Sequence, residues 1–219
     1  PYYVIVMKDR LTGAFRRKDA DSILFYAADL GHYIADAHVP LHTTTNYDGQ
    51  LTGQAGMHAL WESIIPELDL DAYVLSSRHR AQYLQNPEAA IWQAVREASA
   101  LLPEMFTAEK ELSASFPDSL KYHIQMRRGR ESKSYSSAFA KAYAEKLGNT
   151  INRQMIRSAN MLADFWYSSW KDAGEPDLSD LCKDLTKARK KQCRLEDRAF
   201  RHNRLLEKGW LLSRQNHEN

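Results

Sequence analysis

At 219 residues the chain can bury a sizeable core, and one domain is the simplest expectation. Its 43% hydrophobic and 26% charged content is that of an ordinary globular protein, and the net charge of +2 excludes a chain dominated by either sign without pointing to a partner. No apolar run approaches the ~20 residues that a membrane span needs. No low-complexity tract or fixed-period repeat interrupts the chain.

Tyr2 to Arg17 begins as an apolar run, YYVIVMKDRLTGAF, whose β-branched residues fit a strand or a helix equally well. The stretch Pro1 to Phe15 lacks the basic start and small-residue cleavage site of a secretory leader. Lys18 and Asp19 read as a turn. Asp21 or Ser22 can cap the next helix, with Ile23, Tyr26, Ala27, Leu30 and Ile34 as its buried stripe. Gly31 allows another backbone to approach closely.

The next stretch carries the chemistry. His32 and Asp36 are four apart and share a helix face; His58 and Glu62 repeat that spacing on a second helical segment. Pro40 ends or kinks the first segment near His42. The intervening loop, Thr43 to Gly56, is rich in Thr, Asn, Gly and Gln, and can fold one segment back on the other. Asn46, Tyr47 and Asp48 there are either substrate contacts or ordinary turn residues. Imidazole with carboxylate suits zinc or a similar divalent ion, and a His42, His58 and Glu62 set leaves a coordination position open, as catalytic sites do. Trp61 reads as core rather than as a substrate platform. His38 lies about 200° around the helix from Asp36 and reads as structural.

These motifs carry a resemblance. HYIADAHVPLH (H-x3-D-x5-H) and MHALWE (H-x3-E) resemble the zinc-dependent phospholipase C and single-strand-specific nuclease superfamily, and FWYSSWKDAGEPDL resembles its bacterial phospholipase C-like members. The resemblance spans roughly residues 1–178. It implies an all-α, multi-helix domain with zinc ligands on central helices, and a helical start to the chain. It implies up to three zinc ions, with His42, His58 and Glu62 holding one, and His32 and a bridging Asp36 contributing to the other two. The family's remaining ligands are an N-terminal Trp and upstream His and Asp residues. The residues before His32 contain neither Trp nor His, so the chain resembles a member whose N-terminal part is missing. No general base is assigned. The implied activity is zinc-dependent hydrolysis of phosphodiester bonds, phospholipase C-like on phospholipids, with single-strand-specific nuclease as the alternative. The implied location is periplasmic or secreted. A reading of another class is a non-catalytic helical module with one structural metal.

Asn86-Pro87-Glu88 starts a further helix running to about Leu102, with Pro103 kinking or restarting it. Pro117 to Ser134 reads as a polar loop whose Arg127, Arg128, Arg130 and Lys133 either meet a phosphate-bearing substrate or are simply solvated. Ser136 to Lys171 predicts one long helix, ended by Gly174 and Pro176, with Phe165, Trp166, Tyr167 and Trp170 packing. His79, His123, His202 and His217 have no partner pattern.

Residues 179–219 form an extension beyond the resemblance. Leu178, Leu181, Leu185, Ala188, Leu195, Ala199 and Leu206 approximate a heptad seam, and eight basic residues against two acids lie between Lys187 and Arg204. This predicts either a basic amphipathic helix for an anionic surface or nucleic acid, or a charged helix packed on the domain or on a partner chain, through which the chain could self-associate. Cys182 and Cys193 would sit roughly 16 Å apart along one helix, too far for a disulfide.

Overall fold

The computed structural model describes residues 1–127, 130–183 and 185–211, without the side chains of 118, 125–127, 130–132 and 182. The fold is mostly helical with a single two-stranded sheet among the described residues. The described chain divides into two compact units: 1–38, 74–95 and 155–211 in one, 39–73 and 96–154 in the other.

In the first unit, α1 (Tyr2–Arg17) and α2 (Ala20–Asp36) form a helical hairpin. The opening run is therefore a helix, because Val4, Met7, Leu11, Ala14 and Phe15 recur at helical spacing and are all buried. Lys18 makes the turn in the left-handed conformation, and Asp19 caps α2 by accepting from the Ser22 amide at 3.2 Å. The cap is thus Asp19, earlier than Asp21 or Ser22. Leu30 and Ile34 are fully buried, and Ile23, Tyr26 and Ala27 flank the same core. The close neighbour of Gly31 is a side chain, not a backbone: a Cβ there would lie 3.2 Å from Leu162 Cδ2.

The expected long helix is two. Gly148, at φ 55° and ψ −132°, separates α8 (Ser137–Leu147) from α9 (Thr150–Asp172); few side chains tolerate that backbone. Of the aromatic set, Phe165 is fully buried and Trp166 donates to the Ala27 carbonyl at 3.1 Å. Lys8 is buried on α1 and pairs with Asp172. Burial alone would raise the Asp172 carboxyl, but hydrogen bonds from Lys8 and Tyr83 hold it below its ordinary value.

Beyond Leu178 the helix is shorter than the heptad pattern predicts. A 3-10 turn (Ser179–Cys182) precedes α10 (Lys187–Arg201), which Thr186 caps through the Arg189 amide at 3.1 Å. Of the seam, Ala199 is buried, whereas Leu181, Leu185 and Leu195 are exposed. Cys193 is a free, exposed thiol; the Cys182 side chain and His217 lie outside the described residues.

The second unit holds a 3-10 turn (Pro40–Thr43), α3 (Met57–Ala59), a π-helical turn (Leu60–Ile64) and α4 (Ile65–Asp69). The wide turn runs up to Pro66, which cannot donate to a carbonyl of the preceding turn and whose ring crowds that of Glu62. α5 (Pro87–Ser99), which belongs to the first unit up to Val95, is capped by Asn86 as its sequence predicts, and in the second unit Pro103 sits in the first turn of α6 (Leu102–Ser115). The stretch read as a loop contains α7 (Asp118–Lys121) and an antiparallel hairpin, β1 (Tyr122–Arg127) with β2 (Arg130–Tyr135). Cross-strand packing supplies what its polar sequence concealed. Tyr122 faces Tyr135, and Lys133 lies 3.6 Å from the Tyr122 ring centre. The Arg127, Arg128 and Arg130 side chains lie outside those described. Leu41, Met57, Leu60, Trp61, Ile65, Met105, Phe139 and Tyr143 form the core of this unit.

Candidate metal centre

His42, His58 and Glu62 each follow a residue that is locked into the core, Leu41, Met57 and Trp61. Leu41 is fully buried, so the 3-10 turn turns the adjacent His42 outward. Thr43 Oγ1 donates to the Pro40 carbonyl at 2.7 Å and closes that turn. Met57, Leu60, Trp61 and Ile65 are buried, whereas His58 and Glu62 stay part-exposed on the other side. Spacing of three and four thus divides one short segment into a core face and a ligand face.

The loop between them is ordered by its own side chains. Buried Asn46 accepts from the Leu51 amide at 2.7 Å and donates to Thr52 Oγ1 at 3.0 Å. Gly49 adopts φ 77°, and a Cβ on it would lie 2.3 Å from the Gln54 carbonyl oxygen. The Asp48 carbonyl accepts from the Gly56 and Met57 amides, and its carboxylate accepts from the His58 amide at 3.1 Å. Gln54 ties the loop to α6, donating to the Phe106 carbonyl at 2.9 Å and to Glu109. Asn46 and Asp48, read from sequence as substrate contacts or turn residues, are the turn's framework.

Three donor atoms converge. His42 Nε2 lies 3.0 Å from Glu62 Oε1, His58 Nε2 lies 3.3 Å from the same oxygen, and the two Nε2 atoms are 3.4 Å apart. All three belong to one group whose ligand atoms lie within 4.8 Å of one another. Ligands bound at 2.0–2.1 Å around a tetrahedral zinc sit about 3.3–3.4 Å from one another, and the sides of the observed triangle are 3.0–3.4 Å. His58 Nδ1 lies 3.1 Å from the Tyr47 carbonyl oxygen, which only a protonated Nδ1 can approach favourably. In the neutral ring that leaves the lone pair on Nε2, where a metal would take it, and the carbonyl orients the ring. The three side chains are each 29–32% exposed, so the group opens to solvent on one side. The donor set could hold a metal ion.

His32 and Asp36 form a separate pair in the first unit, with Nε2 3.5 Å from Oδ2 and side chains 68% and 38% exposed. His38 is buried; its Nδ1 meets the Ile34 carbonyl at 2.8 Å, and burial lowers its pKa, as a structural histidine requires. His202 caps its own helix through the Arg198 carbonyl, and His123 is exposed. His79 does have a partner: its Nε2 lies 2.7 Å from Asp164 Oδ1. The two are 85 residues apart, and no local spacing signals such a pair.

Comparison with protein-family models, with curated proteins and with solved structures gives no match.

Proposed function

We propose that the chain is a zinc-dependent hydrolase of phosphodiester bonds, phospholipase C-like, centred on His42, His58 and Glu62. The observation that carries this reading is the donor triangle, with sides of 3.0–3.4 Å, together with the Tyr47 carbonyl behind His58. A zinc ion held there supplies Lewis acidity toward phosphoryl oxygens and a water whose pKa falls toward 7. His42 and His58 contribute neutral nitrogens, and Glu62 contributes the negative charge that balances part of the ion's. Asp48 and Gln54 hold the loop so that His58 stays aimed. The part-exposed side of the triangle leaves room for a phosphodiester to approach. Further zinc ions at His32 and Asp36, the family-like helical arrangement and a periplasmic or secreted location belong to the same proposal and rest on the sequence resemblance.

The test is hydrolysis of bis(p-nitrophenyl) phosphate, phosphatidylcholine and single-stranded DNA during a zinc titration. Turnover that requires zinc and disappears in His58→Ala supports the hydrolase, and the preferred natural substrate separates phospholipase C from nuclease. Absence of turnover on all three in zinc-loaded protein overturns it.

A second reading is a non-catalytic module with one structural metal. It is favoured by the position of the ligands at the two ends of the ordered loop, which a bound ion would close. That reading predicts a large fall in melting temperature on chelation and no turnover.

A further inference from the structure

Residues 74–85 form an irregular strap in the first unit. Three side chains of α9, spaced four apart, hold it. Asp164 Oδ1 accepts from His79 Nε2 and from the Gln82 amide, each at 2.7 Å. Ser168 Oγ accepts from the Leu84 amide at 2.9 Å, and Asp172 Oδ1 accepts from the Tyr83 hydroxyl at 2.8 Å. Upstream, the Leu75 amide donates to Asn203 Oδ1, just beyond α10. The strap is irregular in backbone but fixed at both ends, and the Leu84 amide pairs with buried Ser168.

Between strap and α10 lies a cavity of about 570 Å³, lined by Arg78, His79 and Arg80 of the strap and Asp197, Phe200 and Arg201 of α10. Arg201 is committed to Asp197, with Nε–Oδ1 and Nη2–Oδ2 distances of 3.0 and 2.9 Å. No hydrogen bond or ion pair among the described residues engages Arg78 or Arg80. His79 is turned onto α9 and pins the backbone between them. Two uncommitted guanidinium groups therefore line one open-sided space, and among the described lining residues the one acidic group, Asp197, is already paired with Arg201. Guanidinium groups pair with phosphate oxygens bidentately, and two of them balance a dianion. Phe200 adds an apolar wall on which an organic substituent can lie.

We infer that this cavity is a binding site for a small phosphomonoester, whose phosphate is held by Arg78 and Arg80 and whose organic part rests on Phe200. The site lies wholly within the first unit and uses none of the candidate metal ligands.

Isothermal titration calorimetry on the full chain tests it, with inorganic phosphate and phenyl phosphate as probes and excess chelator present, so that the metal centre contributes nothing. The expected result is one saturable site for phenyl phosphate, weakened at least tenfold by Arg80→Glu and by Arg78→Gln. Arg10→Glu, the same charge change on the exposed side of α1, leaves it unaltered. Phenyl phosphate binds several-fold more tightly than inorganic phosphate, and Phe200→Ala removes that advantage. Circular dichroism of each variant separates lost binding from lost folding. No saturable binding of either probe overturns the inference. So does an equal loss in Arg10→Glu, which would mean general charge attraction. Binding unchanged in both strap variants would place the anion elsewhere and overturn it too.

Discussion

Replacing Glu109 with Gln tests how the second unit is held together. The Glu109 side chain is 1% exposed and accepts from Ser113 at 2.8 Å, Tyr135 at 2.9 Å, Lys121 at 2.9 Å and Gln54. Burial alone would raise its pKa, but the hydrogen bonds from Lys121, Gln54, Ser113 and Tyr135 keep the carboxyl below its ordinary value. The amide keeps the shape and loses the charge. It sets an NH2 group against at least one donor and leaves the Lys121 ammonium, 9% exposed, without its counter-ion. Removing one member of a buried ion pair costs about 3–5 kcal/mol, because the other is left uncompensated. The Tyr122, Tyr135 and Phe139 rings, 4.9–5.6 Å from Lys121 Nζ, return only part of that. Urea denaturation followed by far-ultraviolet circular dichroism reads the difference, and in a chain of this size the melting temperature falls by on the order of 10 °C. Adding Lys121→Met to Glu109→Gln recovers most of the loss, since the pair is then replaced rather than broken. A loss below about 1 kcal/mol, or a double variant no better than the single, refutes the network reading. The pH dependence has a definite sign. A carboxyl whose folded pKa is depressed contributes stability that is complete above its unfolded value and is lost as pH falls through the folded one. Wild-type stability therefore declines below about pH 4.5, and Glu109→Gln flattens that decline.

Gly49→Ala should disorder the loop before His58, since the added Cβ meets the Gln54 carbonyl oxygen at 2.3 Å; zinc affinity measured by competition with a chromophoric chelator falls more than tenfold, and wild-type affinity would contradict it. Tyr143→Phe removes the hydroxyl that donates to the Met105 carbonyl at 2.9 Å, so urea denaturation should show a loss of about 1 kcal/mol. Asp164→Ala deletes both anchors of the strap at residues 79 and 82, and amide exchange at Gln82 accelerates while that in α1 does not; unchanged exchange at Gln82 would sink the strap description.

Legibility followed locality. Apolar spacing of three and four marks α2, and a cap next to proline marks α5, because the physics there is confined to a few neighbouring residues; in α1 the β-branched run leaves strand and helix open. The break at Gly148 was less visible, since apolar spacing continues across it and a glycine inside a periodic run carries little signal by itself. The β1–β2 hairpin has the sequence of a polar loop because its stability comes from pairing and from stacking on Tyr122 and Tyr135, not from alternating hydrophobicity. The metal ligands stood out through their own spacing. Their supports did not all do so: the Tyr47 carbonyl is a backbone group, and Glu109 reaches the loop through Gln54 from 55 residues away. The π-helical turn at Leu60–Ile64 had one sequence trace, Pro66. His79 and Asp164, on a strap and a helix far apart in sequence, had none.

The central claim is that His42, His58 and Glu62 together hold a metal ion, and zinc content per chain tests it most directly. Protein purified without chelator, compared with His58→Ala protein of the same fold by circular dichroism, should retain zinc that the variant lacks. Retention unchanged in His58→Ala, or no zinc in the wild-type chain after equilibration with micromolar zinc, would contradict the account.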